Sequence, residues 1–160
     1  ELELALLADM LRERGHVPVE HALSGPGLLR LHVALCRMHG RPSGYRAPDE
    51  VTPAALSGTD PDARASLEAF CGLLGSTIGN MALLYGAQGG VHLAGGILPQ
   101  LRDFLPQSSF VARFLDKGPM RPALERVPVK LDEHGPPGVI GAARWYLARR
   151  HGSQAMQGDP

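Results

Sequence analysis

The sequence predicts an α/β fold that is rich in helices and contains at least two parallel strands. Two short runs, residues 91–94 and 127–131, have the length and apolar character of buried strands. Segments with apolar residues at every third or fourth position, which is typical of helices, precede, separate and follow them. This alternation is that of an α/β domain. Because two strands alone cannot cover so many helices, we expect neighbouring strands outside this sequence.

Composition excludes several classes of protein. The 160-residue chain of 17.1 kDa is long enough for one domain. With 16 basic and 16 acidic residues, it lacks the basic excess that a nucleic-acid or anionic-membrane partner would require. Cys36 and Cys71 lie in helical patterns without a CxxC motif, which predicts buried, reduced thiols and a cytoplasmic location. We expect no signal peptide and no apolar run long enough to span a bilayer.

Two helices are predicted in the first 40 residues. Residues 1–14 form the first, since their apolar side chains share one helical face. Glu1 already lies within this pattern, so we expect the chain to be part of a longer protein. Pro18 prevents residues 16–23 from being helical throughout. Ser24 is the predicted N-cap of the second helix.

The middle of the chain contains a connection and the longest predicted helix. Residues 40–63 are rich in proline, glycine and aspartate and include one short helix at 52–56, capped by Thr52. Residues 64–85 form the long helix, whose apolar face predicts contact with the core. A second face carries Gly72, Gly75 and Gly79. Each glycine costs up to about 1 kcal/mol of helix stability relative to alanine. We therefore expect another element to approach this face closely.

The last third of the chain alternates short helices with the second strand. In order, the predicted elements are a helix at 97–105, a helix at 108–115 capped by Ser108 or Ser109, a short helix at 120–126, the strand at 127–131 and a closing helix at 137–150 with an apolar stripe. The polar residues 151–160 are expected to be a disordered tail.

The segment from Gly89 to Pro99, GGVHLAGGILP, is the most informative motif. A strand delivers the pair Gly95-Gly96 at its carboxyl end, where open α/β sheets bind ligands. Glycines let the backbone approach a ligand closely, and the helix expected after them would favour phosphate-like charge. Glycines after a strand are also ordinary turn formers, so the motif alone does not decide between a ligand site and a turn.

Several motifs together resemble one family, the bacterial ATP-dependent glucokinases of the actin-like sugar-kinase fold. They are GHVPVEHALSGPGL at 15–28, GGVHLAGGILP at 89–99, FLDKGPM at 114–120, VPVKL at 127–131 and PGVIGAARW at 137–145. They occur in the family's order and spacing and cover nearly the whole chain. The resemblance implies the C-terminal half of such an enzyme, with residues 1–150 belonging to its large domain.

The resemblance also implies what lies elsewhere. Glucose and ATP with Mg²⁺ would bind between two domains of a homodimeric enzyme that transfers a phosphoryl group to the 6-hydroxyl of glucose. The family's phosphate-binding loop, catalytic aspartate and Glu-Gly-Gly-His turn have no counterpart in this sequence. No catalytic residue is therefore assigned to this chain, and the chain alone is expected to be inactive without the N-terminal half.

Three residues are the candidate site residues. Glu20, four positions before Ser24, matches the family's sugar-binding glutamate, and a carboxylate can accept hydrogen bonds from two sugar hydroxyls. The resemblance assigns Gly95 and Gly96 to the adenosine of ATP. Asp116-Lys117-Gly118 matches a family landmark, but a lysine before a glycine is also an ordinary helix ending.

No metal site is assigned. His16 and Glu20 are four residues apart, but Pro18 argues against a shared helical face and no third ligand is evident. The cysteine-rich zinc motif of related repressors and sugar kinases is also absent. His21, His32, His39, His92 and His134 show no partner pattern.

Two alternatives to a glucokinase remain. The chain could be a non-catalytic sugar-binding or regulatory module of the same fold, although no basic helix-turn-helix is visible in its sequence. It could also belong to a kinase for another hexose, because one glutamate does not define the sugar.

Overall fold

The computed structural model describes residues 1–132 and 137–155 and contains helices around one short parallel sheet. The order of elements is α1 (Leu2–Glu13), α2 (Val19–Ala22), α3 (Gly25–Met38), α4 (Pro48–Ser57), α5 (Pro61–Leu84), β1 (Val91–Leu93), α6 (Phe110–Leu115), α7 (Arg121–Leu124), β2 (Val129–Leu131) and α8 (Pro137–Ala155). Short 3₁₀ turns lie at Leu98–Leu101, Leu105–Gln107 and Gly118–Met120. The predicted fold class, helix-rich with two parallel strands, is confirmed.

The two strands pair in parallel, as an α/β chain requires. Val91 lies opposite Val129, His92 opposite Lys130 and Leu93 opposite Leu131. The hydrogen-bond ladder continues beyond the strands, since the N–H of Asp132 donates to Leu93 O at 2.9 Å. This fixes the carboxyl ends of both strands beside each other.

The main core lies where α1, α3, α4 and α5 meet. Its largest fully buried apolar side chains include Leu6, Leu28, Leu31, Leu35, Leu67 and Leu101. Cys36 and Cys71 are buried free thiols, as predicted. A smaller cluster of Ala82, Phe114 and Leu124 joins the end of α5 to α6 and α7.

The glycine face of α5 receives α6, which confirms the close approach expected there. A Cβ on Gly75 would lie 2.2 Å from the carbonyl oxygen of Phe110, and one on Gly79 would lie 2.6 Å from that of Phe114. At Gly72 the nearest atom would be the Ser109 hydroxyl, at 2.9 Å. Glycine is therefore needed at Gly75 and Gly79, because the backbone of α6 occupies the space of a side chain there.

Two helices begin earlier than the sequence predicted. The helix expected at 52–56 covers Pro48–Ser57, and the Glu50 carboxylate, rather than Thr52, accepts the Ala47 N–H at its start, at 3.0 Å. Thr52 instead donates to Pro48 O and is buried. The long helix starts at Pro61 because the Asp60 carboxylate accepts the N–H groups of the next turn.

The helix predicted at 97–105 is wrong. The chain forms two 3₁₀ turns there, each with a proline in its first turn. Pro99 and Pro106 lack the N–H that a continuous α-helix uses, and Pro106 also disfavours the α conformation at the residue before it. No α-helix N-terminus therefore follows Gly95-Gly96.

The ends of the two longest helices also differ from expectation. At the end of α5, Met81 and Tyr85 were expected in the core but are exposed. The apolar stripe of α8 is likewise exposed among the described side chains, at Val139, Ile140, Tyr146 and Leu147. α8 continues to Ala155 rather than ending at residue 150, while residues 156–160 of the predicted disordered tail lie outside the described part of the chain.

One helix in the described residues, α5, is long and apolar enough to cross a membrane, with a mean hydropathy of 1.4. The expectation that no segment meets this criterion is therefore wrong. Helices α3, α4 and α6 pack against α5, and a core helix passes the same test. Length and composition are thus weak grounds for a membrane span here.

Candidate functional site

Glu20 lies in the single turn of α2, with its side chain exposed to solvent. Pro18 begins this turn in an extended conformation, which accounts for the break that the sequence predicted. Glu20 borders a shallow cavity of about 300 Å³. The residues that line it are Pro18, Glu20, His21, Ser24, Pro26 and Arg30.

The segment after Glu20 holds α2 firmly against α3. The Ser24 hydroxyl accepts the Gly27 N–H at 3.0 Å and caps α3, as predicted. A Cβ on Gly27 would lie 2.2 Å from the carbonyl oxygen of Ala22, so only glycine permits this contact. The Ser-Gly-Pro-Gly sequence therefore fixes where Glu20 lies, a positioning role for Gly27 that the helix pattern alone does not reveal.

One arginine, Arg30, lines the Glu20 cavity. Arg30 donates from Nη1 to His21 O at 3.2 Å, which ties α3 to α2. Burial, together with the charges of Arg30 and Arg14, lowers the pKa of His21. A neutral imidazole at His21 leaves Arg30 as the cation beside the Glu20 carboxylate in this cavity.

Gly95 and Gly96 border a larger cavity of about 580 Å³. Phe70, Leu74 and Ile78 from α5 give it an apolar wall, and Asp49, Thr52, His92 and Gln100 are among its polar residues. The volume and mixed lining suit a nucleoside-sized ligand.

The glycine pair meets an open space rather than a packed neighbour. A Cβ on Gly96 would meet no atom within 4 Å, and one on Gly95 would meet only Leu98, at an ordinary 3.8 Å. Gly95 has a φ of 157°, a conformation that favours glycine without any ligand, whereas Gly96 does not have a positive φ. Among the described residues, neither packing nor backbone conformation therefore accounts for glycine at Gly96, where a ligand can approach the backbone.

The two cavities are neighbours, since Ser24 lines both of them. The structure therefore brings Glu20 to one side of the start of α3 and the Gly95-Gly96 turn to the other. The sequence separates these residues widely and offers no direct sign of this proximity. Because 3₁₀ turns follow the glycines, the phosphate-binding helix terminus expected there is absent from the described site.

Asp116-Lys117-Gly118 has a structural explanation. Asp116 ends α6, and Gly118 has a φ of 51°, a conformation that favours glycine. The Lys117 N–H donates to Leu115 O at 2.8 Å, and the aliphatic chain of Lys117 lies over Gly79. These residues form the end of a helix, the structural alternative that the sequence left open.

The histidines divide into structural and site-bordering positions. His32 is fully buried, lies 3.4 Å from the Cys36 thiol and packs against the ring of Tyr45. His39 pairs with Asp62 at 3.0 Å. His92 borders the larger cavity and lies 3.3 Å from an oxygen of Asp132. No cluster of three or more potential metal ligands occurs among the described residues. His134 lies outside them.

Comparison with known proteins identifies the family. The Glucokinase family model matches residues 1–149. A "Glucokinase-like protein" of Xylella fastidiosa is 55% identical over 94% of this chain and 45% of its own length. A "Glucokinase" of Saccharophagus degradans is 43% identical over 91% of this chain and 45% of its own length.

A solved structure agrees with these relatives. The crystal structure of a glucokinase from an Antarctic psychrotroph matches with a TM-score of 0.81 at 37% identity, over 89% of this chain and 44% of that one. The chain thus spans less than half the length of the proteins that it matches. With the family model matching nearly its whole length, this chain belongs to the Glucokinase family.

Proposed function

We propose that this chain provides the sugar-binding glutamate and the adenosine-binding wall of an ATP-dependent glucokinase. The observation that carries the proposal is that Ser24 lines both the Glu20 cavity and the Gly95-Gly96 cavity. A kinase must hold its acceptor and its phosphoryl donor next to each other, because most of its catalysis comes from positioning.

Glu20 is proposed to bind hydroxyl groups of glucose. Its carboxylate is exposed at the edge of a cavity and can accept hydrogen bonds from two donors. The close contact between Gly27 and α2 fixes the position of the turn that carries Glu20. A carboxylate on a fixed turn can orient a bound sugar ring.

The Gly95-Gly96 turn is proposed to lie against the adenosine of ATP. The apolar wall formed by α5 suits a purine ring, and the missing side chains leave the backbone open to close approach. Mg²⁺ would be held mainly by the ATP phosphates. Among the described residues, no group of three or more potential metal ligands is available to bind it directly.

The remaining parts of the machinery are proposed to lie outside these 160 residues. The base that takes the proton of the 6-hydroxyl and most of the phosphate contacts would come from the rest of a full-length kinase. Domain closure would then exclude water, which competes with the sugar as phosphoryl acceptor. We propose further that the enzyme is cytoplasmic and forms a homodimer, to which the exposed apolar stripe of α8 could contribute.

The first test uses the isolated 160-residue chain. We expect no phosphorylation of glucose by ATP in a coupled assay, since no base is supplied. Turnover that depends on both ATP and glucose would contradict this division of roles between the chain and the remainder of the enzyme.

The second test uses the full-length kinase that contains this chain. Glu20→Gln keeps the size of the side chain but replaces an acceptor oxygen by a donor, so we expect a much higher KM for glucose and little change in KM for ATP. Glu13→Gln, an exposed glutamate in α1, is the matched control. Equal effects of Glu20→Gln on both KM values would show that Glu20 is not a sugar ligand.

A panel of other hexoses in the same assay tests the alternative specificity. A higher kcat/KM for a different sugar would assign the chain to a kinase for that hexose. Sugar binding by the full-length protein without turnover would support the non-catalytic module instead.

A further inference from the structure

We propose that His92, held by Asp132, is a specificity residue for the nucleoside: its Nε2 atom accepts a hydrogen bond from a donor group of the bound nucleotide. The proposal rests on the proposed nucleotide site at Gly95-Gly96. It adds a hydrogen bond from a side chain, which the two glycines do not have.

The strand places His92 at the cavity. Leu93 is buried in the core, while the neighbouring His92 is exposed, as the alternation of side chains along a strand requires. His92 and Gly95-Gly96 border the same cavity, and only Ala94 separates the histidine strand from the glycine pair. A ligand against the glycine backbone therefore comes within reach of the imidazole.

Asp132 determines which ring nitrogen is available. Its Oδ1 atom lies 3.3 Å from His92 Nδ1. A carboxylate only accepts hydrogen bonds, so Nδ1 must carry the proton of this pair. In the neutral ring, Nε2 then keeps a lone pair and acts as an acceptor.

Asp132 is itself held in place by the sheet. Its N–H donates to Leu93 O at 2.9 Å, which continues the ladder between the two strands by one residue. The backbone of Asp132, from which its carboxylate extends, is therefore fixed relative to His92. This arrangement makes Asp132 a positioning residue that acts through the histidine.

The chemistry of an acceptor defines the group that it recognises. In adenosine, the donors are the ribose hydroxyls and the exocyclic amino group of adenine. The nucleotide of purine riboside lacks that amino group without gaining another donor, and 2′-deoxy or 3′-deoxy nucleotides each lack one hydroxyl. The three analogues therefore distinguish the possible sources of the hydrogen bond.

The test measures nucleotide binding to the full-length kinase that contains this chain, by isothermal titration calorimetry. We expect His92→Ala to bind ATP about threefold to tenfold more weakly, which corresponds to one hydrogen bond. His92→Asn, which retains a side-chain acceptor, should recover part of the affinity. Asp132→Ala should weaken binding less than His92→Ala, because the ring remains but loses its orientation.

Lys130→Ala is the matched control, since Lys130 lies opposite His92 in the sheet but does not border the cavity. It should bind ATP as the unaltered kinase does. For one of the three analogues, the unaltered kinase and His92→Ala should bind equally, which identifies the donor group. Circular dichroism checks that each variant is folded.

Two results would overturn the inference while leaving the proposed function standing. One is ATP binding by His92→Ala equal to that of the unaltered kinase. The other is a His92→Ala variant that loses the same factor of affinity for ATP and for all three analogues. If the unaltered full-length kinase binds no nucleotide, the proposed adenosine site fails, and the inference about His92 fails with it.

Discussion

Replacing Gly75 by alanine should destabilise the fold more than the same change at its neighbours on α5. A Cβ at Gly75 would lie 2.2 Å from Phe110 O and 3.0 Å from the carbonyl carbon of the same residue. These are backbone atoms of α6, so no rotamer change can relieve the contact. Overpacking of this kind costs about 1–3 kcal/mol, or more where the backbone must move.

The gain in helix propensity opposes this cost. Alanine is favoured over glycine within a helix by up to about 1 kcal/mol. Because a 2.2 Å contact with a backbone oxygen places the overpacking cost at or above the upper end of its range, we expect Gly75→Ala to lower the free energy of unfolding by about 2 kcal/mol after the propensity gain is subtracted. For a chain of this size, each 1 kcal/mol lowers Tm by roughly 2–4 °C.

Gly72→Ala and Gly79→Ala are the matched controls, because they share the helix and the propensity gain. At Gly72 the nearest atoms are the side-chain oxygens of Ser109 and Glu3, which can rotate away. At Gly79 the nearest atom is a backbone oxygen, at 2.6 Å. The expected order of destabilisation is Gly75, Gly79, Gly72, measured by urea unfolding followed by circular dichroism at 222 nm. Equal effects at all three positions, or a stabilising Gly75→Ala, would refute the reasoning.

Two further predictions concern titratable groups of α5. Asp60 accepts the N–H groups of Asp62 and Ala63 at 2.8 and 3.2 Å; burial tends to raise its pKa, but these bonds outweigh burial and lower it. Its contribution is therefore present above the unfolded-state pKa and is lost as pH falls through the lower folded-state pKa. Asp60→Ala should cost about 1 kcal/mol at neutral pH, whereas Asp60→Asn should retain most of the cap and flatten the acid limb in pH-dependent urea unfolding; a wild-type acid limb in Asp60→Asn would contradict this role. Burial raises the pKa of the Cys71 thiol to about 12, so its contribution to stability is complete below the unfolded-state pKa and is lost as pH rises towards the folded-state value. Cys71→Ala should flatten that alkaline loss in the same measurement, and rapid alkylation of Cys71 in the folded chain at neutral pH would show that the thiol is not buried as described.

Local sequence rules predicted the elements whose signals are themselves local. The cap at Ser24, the break at Pro18 and the glycine face of α5 each follow from the chemistry of a few adjacent residues, and the structure confirms all three. The sequence did not predict the early starts of α4 and α5. Glu50 and Asp60 accept the first N–H groups of these helices, but the first turns lack the apolar periodicity on which the prediction rested. The helix predicted after Gly96 does not form, because Pro99 and Pro106 interrupt a segment whose apolar spacing alone is typical of a helix.

The sequence by itself determined the fold class and the two strands, because alternation, spacing and turn chemistry are local properties of the chain, while the resemblance of its motifs to a family supplied Glu20, Gly95 and Gly96 as candidate residues. Only the tertiary structure decided that Ser24 lines both the Glu20 cavity and the Gly95-Gly96 cavity, and that Asp132 lies 3.3 Å from His92 at the second of them. Residues far apart in sequence become neighbours through helix packing and strand pairing. That proximity depends on how whole elements fit together, which no local pattern encodes.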